Sequence, residues 1–325
     1  MSKVIEHHAN GKLLITGEYL VLVGARALAL PVRFGQDLIV LASITGRIEW
    51  ESSNPAGVWF TAQFDPGTFH ILTTNKLKIA EELKKLLGSA RKLNPMFLAG
   101  QDGCYVTVKA NYPLGWGLGS SSTLCSLVAE WAGVDAFHLF HMISHGSGYD
   151  IACASRNDLI YYTLTGWEDS DRVGQRLNYL APKVRSHVIT PTQPGFALRE
   201  YSYFVYLGNK QDTGKEVAAF LANNNYSDKD VDRISQLASL ICDSVTHEEL
   251  TCLVEEHESI MSEILKRQVI ATRFPAFPGT IKSLGAWGGD FAMFVSGREP
   301  DEVTEIIHQY GFSTIFRYHE IAVAT

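Results

Sequence analysis

The sequence predicts an α+β protein with two domains. Segments typical of strands alternate along the chain with segments of helical periodicity, which is the pattern of an α+β sandwich. The length of 325 residues favours two hydrophobic cores, and a polar, proline-containing stretch at residues 190–195 is the best candidate boundary. We therefore predict domains at residues 1–194 and 195–325.

Composition and charge narrow the class of protein. Hydrophobic residues make up 46% and charged residues 19% of the chain, as in an ordinary globular protein. The formal net charge of −7 disfavours general binding to nucleic acids or anionic membranes, but it permits a small anionic ligand in a local basic pocket. The first residues contain no apolar signal segment, and the five cysteines include no C-x-x-C pair. These features predict a cytoplasmic protein with reduced thiols.

The first part of the chain is typical of strands. Residues 11–24 (GKLLITGEYLVLVG) contain two apolar runs separated by a small polar turn, which predicts two strands or a strand and a tight turn. Lys12 at the start of this segment is either a solvated strand end or a functional cation. Residues 36–64 predict further strands, and residues 76–87 predict a helix with a solvated charged face.

A glycine-rich loop follows the strand predicted at residues 104–109. Residues 113–123 (PLGWGLGSSST) place glycines at alternate positions, where the backbone can approach a ligand closely. The serines stand where a helix begins, so backbone N–H groups, the helix dipole and hydroxyl groups converge on one point. The segment therefore predicts a phosphate-binding loop or, alternatively, a glycine-rich turn that caps a buried helix. Its spacing differs from that of the dinucleotide and Walker A loops.

The rest of the chain contains two more turns of small residues. In residues 145–150 (HGSGYD), Asp150 either caps the following helix or acts on a ligand. Residues 282–290 (KSLGAWGGD) form a second glycine cluster. The remaining strands are predicted at residues 158–164, 184–189, 203–207, 291–295 and 313–318. The remaining helices are predicted from residue 216 and at residues 228–245, 247–268 and 300–310.

The order of these motifs resembles that of the GHMP small-molecule kinase superfamily. Residues 11–19 resemble its first motif, residues 113–122 its phosphate loop, residues 145–150 the segment with its catalytic aspartate, and residues 282–290 its third motif. The resemblance covers essentially the whole chain. It implies an N-terminal domain like domain 2 of ribosomal protein S5, a ferredoxin-like C-terminal domain, and a site in the cleft between them.

The resemblance also implies ATP with Mg²⁺ and a small-molecule phosphoryl acceptor. The residues that it assigns to the triphosphate are Pro113, Gly115, Gly117, Leu118, Gly119, Ser120, Ser121 and Ser122. One of Ser120 and Ser121 is expected to offer its hydroxyl to the metal. The residues that it assigns to the acceptor cleft are Glu18, Tyr19, Gly148, Tyr149, Gly285, Gly288, Gly289 and Asp290.

Phosphoryl transfer explains the roles expected of Lys12 and Asp150. The charge of the transition state lies on the γ-phosphoryl oxygens, so positioning and positive charge matter more than a strong base. Lys12 is expected to supply that charge. Asp150 is expected to orient the acceptor hydroxyl and to take its proton late in the reaction.

The chain departs from the family pattern at several positions. Asn10 replaces the usual proline, and Ser122 replaces the usual alanine. Many mevalonate and homoserine kinases carry a metal-binding glutamate on the helix before the aspartate turn, but residues 135–143 lack it, and the nearest carboxylates are Glu130 and Asp135. Either serine, phosphates and water alone hold Mg²⁺, or the site differs. The nearby histidines are interpreted as core or surface side chains: His138, His141 and His145.

The wording of the motifs also favours one class of acceptor. The motifs resemble those of the phosphomevalonate kinase branch more than those of the galactokinases, so the first hypothesis is a mevalonate-pathway kinase, with phosphomevalonate before mevalonate. The alternatives are a GHMP sugar or homoserine-type kinase, and an ATP-binding protein without transfer activity. We expect a monomer or a homodimer. A phosphorylated acceptor needs additional cations, for which the candidates are Lys76, Lys78, Arg156, Lys210 and Lys215.

Overall fold

Two sheets organise the chain. The computed structural model describes residues 4–100, 102–167, 185–208, 213–223, 225–285, 287 and 289–324. Within these residues, the strands form one sheet of eight and one sheet of four, and helices pack against both, so the predicted α+β class is confirmed. No helix in the described part of the chain is long and apolar enough to cross a membrane.

The larger sheet comes from the first part of the chain. Its strands are β1 (Ile5–Thr16), β2 (Ala27–Ser43), β3 (Ile48–Asn54), β4 (Gly57–Phe64), β5 (Ile71–Thr74), β6 (Gly103–Ala110), β7 (Leu159–Trp167) and β8 (Arg185–Thr192). Their order is β5-β4-β3-β6-β2-β7-β8, and β1 pairs with β2. The pairs are antiparallel apart from β3 with β6. The 17-residue β2 connects the sheet, because it pairs with β1, β6 and β7.

Four helices pack on this sheet and on one another. They are α1 (Leu77–Leu93), α2 (Ser120–Ala132), α3 (Ala136–Ile143) and α4 (Tyr149–Ala154). Helix α1 buries Leu83, Leu86 and Leu87, as its amphipathic sequence predicts, and continues beyond the predicted residue 87. Both α2 and α4 contact β1. The glycine loop before α2 and the turn before α4 therefore meet near Lys12 of β1.

The smaller sheet comes from the second part of the chain. Its strands are β9 (Ser202–Tyr206), β10 (Thr280–Ser283), β11 (Phe291–Val295) and β12 (Ile315–Arg317), in the antiparallel order β10-β11-β9-β12. The helices of this part are α5 (Phe196–Glu200), α6 (Thr213–Asn223), α7 (Asp228–Asp243), α8 (His247–Leu265), α9 (Pro300–Gln309) and α10 (Tyr318–Ile321). Short 3₁₀ turns lie at Leu20–Val23 and Ile270–Arg273.

The structure refines several predicted elements. The segment at residues 11–24 is a strand followed by a 3₁₀ turn, which is one of the two predicted alternatives. The last strand is shorter than the predicted residues 313–318, because α10 begins at Tyr318. Strand β10 had no prediction of its own. Val184, the first residue of the strand predicted at 184–189, lies outside the described residues.

One hydrophobic core runs across the predicted domain boundary. The boundary after residue 194 lies between β8 and α5, so each sheet falls on its own side. The same core nevertheless contains Leu13 and Ile15 of β1 together with Leu237 and Ile241 of α7. The division at residue 194 stays a prediction, and the two parts are packed through shared apolar side chains.

A buried ion pair also joins the two parts. Glu18, two residues after β1, and Lys282 in β10 are fully buried, and Lys282 Nζ donates to Glu18 Oε1. Lys282 Nζ also donates to the Ser283 carbonyl at 2.9 Å and lies 3.8 Å from Glu258 Oε1. His257 Nε2 lies 3.3 Å from Glu18 Oε2. Because buried charges are costly unless paired, this cluster fixes β10 against the end of β1.

We predict a large loss of stability in the Lys282→Met variant. Methionine keeps much of the side-chain volume but leaves the Glu18 and Glu258 carboxylates buried without a cation, so the free energy of unfolding should fall by roughly 3–5 kcal/mol. Urea denaturation measures this loss. Lys85→Met, which changes an exposed lysine of α1, is the control and should cost less than about 0.5 kcal/mol. Equal losses in the two variants would contradict the role given to the ion pair.

Candidate active site

The glycine loop connects β6 to α2, as the sequence predicts. Gly115, Gly117 and Gly119 have φ values of 112°, 69° and 88°, which favour glycine over residues with a side chain. Helix α2 begins at Ser120, and its N-cap residue Gly119 makes no side-chain capping bond. The N–H groups of Ser122 and Thr123 donate to the Gly119 carbonyl, and the N–H groups before them, at the start of the helix, are the ones suited to bind an anion.

Contacts from both sheets hold this loop in place. The Leu118 carbonyl accepts from the backbone N–H of Lys12 in β1 at 3.0 Å, and the Leu118 side chain is buried in the core. On the other side, the Gly115 carbonyl accepts from the Tyr206 hydroxyl at 3.3 Å. The Trp116 ring lies 5.6 Å from the Tyr206 ring, between centroids. Protein contacts therefore hold both ends of the loop.

Lys12 lies along the loop. Its Nζ donates to the Gly117 carbonyl at 3.0 Å, and its ammonium is 5.5 Å from the centroid of the Tyr149 ring. A Cβ on Gly119 would lie 3.2 Å from Lys12 Cε, so the lysine stem packs on that glycine. Desolvation lowers the pKa of Lys12, but Tyr149 and Asp150 more than offset it, and the pKa is raised above its ordinary value. Lys12 is therefore a protonated cation beside the loop.

Asp150 faces the start of α2. Helix α4 begins at Tyr149 with Gly148 at its N-cap, so Asp150 lies in the first turn and does not cap a helix that starts at Ile151. Its Oδ2 accepts from the buried Ser122 Oγ at 2.5 Å. The sequence identified Ser122 as a mild departure from the family pattern and missed this contact. The structure thus brings Ser122 and Asp150 together beside the loop.

The other predicted loop residues lie at its surface. Ser120 is half-buried and Ser121 is exposed, both in the first turn of α2. Pro113 is exposed at the start of the loop, and its carbonyl accepts from the Trp116 N–H at 3.4 Å. A role of Ser120 or Ser121 in metal binding stays a prediction.

The first predicted cleft residues belong to the junction between the sheets. The Glu18 carboxylate lies in the buried ion cluster, where burial raises its pKa to about 7 despite the attraction of Lys282. Tyr19 is also buried, and its ring centroid lies 5.3 Å from that of Phe220. Both side chains therefore contact protein groups of the second part of the chain. Contact of either one with an acceptor stays a prediction.

The third motif reaches the glycine loop through Asp290. A Cβ on Gly117 would fall 1.8 Å from Asp290 Oδ2, so the carboxylate occupies the space beside that glycine. Gly285 is half-buried with a φ of 64°, and Gly289 is buried. Gly288 lies outside the described residues. The third motif thus contacts the glycine loop through Asp290.

The carboxylates nearest to the aspartate turn in sequence make other contacts. Glu130 Oε1 lies 2.9 Å from His7 Nδ1. Asp135 is the N-cap residue of α3, and its Oδ1 accepts from the backbone N–H of His138 at 2.8 Å. Each of these carboxylates is engaged away from the glycine loop.

Three of the cations proposed for a phosphorylated acceptor have described side chains: Lys76, Lys78 and Arg156. Lys76 Nζ lies 5.0 Å from the Trp59 ring centroid, and Lys78 is exposed on α1. Arg156 Nη1 donates to the Ala152 carbonyl at 3.0 Å. The side chains of Lys210 and Lys215 lie outside the described residues.

Solved structures resemble the chain over nearly its whole length. Streptococcus pneumoniae phosphomevalonate kinase, in complex with phosphomevalonate and AMPPNP, is 14% identical with a TM-score of 0.69, over 96% of this chain and 99% of that one. L. major mevalonate kinase, in complex with R-mevalonate, is 16% identical with a TM-score of 0.65, over 97% and 95%. Lactococcus lactis galactokinase, complexed with galactose, is 12% identical with a TM-score of 0.62, over 98% and 93%.

The chain has the GHMP kinase fold. The resemblance predicted from the motifs is therefore confirmed for the fold, with the mevalonate branch among the structural neighbours. No family model and no curated protein matches the chain. Identities of 12–16% to these structures support a shared fold and leave the acceptor open.

We predict a pH-dependent contribution of Glu18 to stability. Its pKa is raised from 4.5 to about 7, so over this range the folded protein keeps a proton that the unfolded chain loses. The contribution of Glu18 to the free energy of unfolding should therefore decrease as the pH rises, by up to roughly 1.4 kcal/mol per pH unit. Glu18→Gln cannot titrate and removes this slope.

Urea denaturation of both proteins from about pH 5 to about pH 8 tests the prediction. The wild-type value minus the Glu18→Gln value should fall up to about pH 7 and then level off. Burial and the charge of Lys282 lower the pKa of His257, which gives a slope of opposite sign in both proteins. A difference that does not change with pH would contradict the prediction.

Proposed function

We propose that the protein is an ATP-dependent kinase that phosphorylates a small molecule. The observation that carries the proposal is the meeting of Lys12 and the hydrogen-bonded Ser122–Asp150 pair beside the glycine loop, in a chain with the GHMP kinase fold. A cation, a carboxylate and an anion-binding loop at one place are what phosphoryl transfer requires.

The loop fits a triphosphate. Its positive-φ glycines, the start of α2 and the Lys12 ammonium provide several donors on one side of an anion. The residues that would hold the phosphates are 115–121, and Ser120 or Ser121 would face the metal. ATP with Mg²⁺ would supply the phosphoryl group and neutralise part of its charge. Support for ATP comes from the structurally similar phosphomevalonate kinase, which was solved with AMPPNP.

Lys12 and Asp150 have separate tasks in this proposal. Lys12, held by the Gly117 carbonyl, places positive charge where the transferred phosphoryl group becomes more negative. Asp150 uses Oδ2 to accept from Ser122, and Oδ1 would accept from the acceptor hydroxyl. Oδ1 would take the hydroxyl proton as the new oxygen–phosphorus bond forms and the bond from phosphorus to the departing ADP oxygen breaks. Ser122 is thus a positioning residue that selects the oxygen of Asp150 that faces the acceptor.

We propose phosphomevalonate, before mevalonate, as the acceptor. The wording of the first motif, of the aspartate segment at residues 145–150 and of the third motif supports this branch, and kinases of both compounds are among the structural neighbours. A sugar or homoserine-type acceptor is the alternative, since a galactokinase has the same fold. A nucleotide-binding protein without transfer activity is the third possibility. We further propose a cytoplasmic monomer or homodimer that binds neither nucleic acid nor membrane.

An ADP-release assay over a panel of acceptors tests the proposed function. Mevalonate, phosphomevalonate, homoserine and galactose are each supplied with ATP and Mg²⁺, and ADP formation is coupled to an optical signal. We expect turnover with phosphomevalonate. Turnover with one of the other compounds alone would reassign the acceptor. Nucleotide binding without turnover on any acceptor would overturn the kinase proposal.

We predict different kinetic defects for Asp150→Ala and Ser122→Ala. Loss of the carboxylate should lower kcat about 100- to 1,000-fold with an unchanged melting temperature. Loss of the Ser122 hydroxyl should lower kcat about tenfold and leave the KM for ATP unchanged, since the carboxylate remains but is less firmly oriented.

Ser126→Ala, which changes a half-buried serine one turn further along α2, is the control and should retain wild-type kcat. If Asp150 only stabilised α4, Asp150→Ala would lose about 1 kcal/mol of stability and keep its turnover. That result would contradict the assignment.

A further inference from the structure

The helix before the aspartate turn, α3, offers no carboxylate to a metal. Helix α3 carries no acidic residue, and Glu130 and Asp135 are engaged with His7 and with the α3 N-terminus. If the chain binds a metal–nucleotide complex as proposed above, a protein carboxylate must come from another element, or the metal has none. Among the described carboxylates, that of Asp290 contacts the glycine loop directly, at Gly117.

Asp290 is held against the loop by its neighbours. Its backbone carbonyl accepts from the Leu207 N–H at 2.7 Å, which ties it to the end of β9. The next residue, Phe291, pairs with Tyr206 in the sheet, and its ring centroid lies 6.0 Å from that of Trp116. Two consecutive residues of the loop thus meet two consecutive residues of the third motif and β11. The placement of the Asp290 carboxylate follows from this packing.

The Asp290 carboxylate lies directly against the backbone of Gly117. Gly117 is exposed, and the space that a Cβ would occupy there is filled by Asp290 Oδ2 and Cγ, at 1.8 and 2.5 Å from the Cβ position. The carbonyl of the same glycine accepts from Lys12 Nζ. Cation, loop and carboxylate therefore share one short segment of backbone.

Charge decides what this carboxylate can do in a nucleotide complex. A carboxylate beside a bound triphosphate repels it, and Lys12 alone has one positive charge to offset both groups. A divalent cation between carboxylate and phosphate reverses the sign of the interaction. Mg²⁺ in nucleotide sites typically binds one or two carboxylates together with phosphate oxygens and water.

We propose that Asp290 supplies the protein carboxylate for the divalent cation that accompanies the nucleotide. The metal would then be held by groups from both parts of the chain, the phosphate loop and the third motif. This inference rests on the proposed function, since it assumes that the loop binds a nucleotide triphosphate. It assigns to the second part of the chain the ligand that the α3 sequence lacks.

Nucleotide affinity measured with and without metal tests this inference. AMPPNP is titrated by calorimetry into wild type and Asp290→Asn, in excess Mg²⁺ and in EDTA. In wild type, Mg²⁺ should strengthen binding, and Asp290→Asn should lose about tenfold or more of that gain. In EDTA the variant should bind at least as well as wild type, because the repulsion is removed. Asp232→Asn, an exposed aspartate of α7, is the matched control and should behave as wild type.

A change of metal preference provides a second test. In Asp290→Cys, a thiolate replaces the carboxylate, and soft thiolate ligands favour Cd²⁺ over Mg²⁺. Cd²⁺ should therefore restore AMPPNP binding to this variant more than Mg²⁺ does, whereas wild type should show no such preference. Melting temperatures of all proteins identify any variant that is not folded, and the remaining variant then decides the result.

The outcomes separate failure of this inference from failure of the proposed function. If Asp290→Asn binds Mg²⁺–AMPPNP as tightly as wild type does, or binds AMPPNP more tightly than wild type both with and without metal, Asp290 does not contact the metal. Either result would overturn this inference alone. If wild type binds no AMPPNP in either condition, the proposed function falls, and the inference falls with it.

Discussion

The buried pair of Glu18 and Lys282 is the interaction on which the rest of the site depends. Glu18 closes the first motif, six residues after Lys12, and Lys282 opens the third motif, eight residues before Asp290. Separation of the two motifs would leave these charges without their partners, and a buried charge without a partner is costly. His257 and Glu258 of α8 complete the cluster. One ionic contact thus sets the distance between the loop cation and the third motif.

The glycine loop has its shape because it lies between the two sheets. Its Leu118 end is bonded to β1, and its Gly115–Trp116 end is bonded and packed against Tyr206 of β9. Glycine backbones lose much conformational freedom on ordering, so these contacts offset part of the cost of ordering the loop. Each end of the loop contacts a different sheet, so displacement of either sheet would move one end of the loop.

Local sequence patterns predict the strands, the helices and the glycine loop. The contacts that these patterns do not predict join residues far apart in the sequence. Alternation and helical periodicity located most of the strands and helices, and glycine spacing located the loop, because these signals depend on neighbouring residues. The Glu18–Lys282 pair spans 264 residues and the Ser122–Asp150 bond spans 28, and neither leaves a local pattern. The first motif therefore predicts a cleft residue at Glu18 and gives no sign of its buried partner Lys282. The periodicity of α8 predicted a helix, but it gave no sign that His257 faces a buried carboxylate.

The contact between Gly117 and Asp290 has a consequence for how this sequence can vary. A side chain at position 117 would need the volume that the Asp290 carboxylate occupies, so the two positions cannot change independently. An alanine at 117 becomes tolerable only where residue 290 has shortened or turned away, and the positive φ at 117 adds a further penalty. Correlated substitutions at positions 117 and 290 among homologous chains would therefore be evidence of this contact from sequences alone.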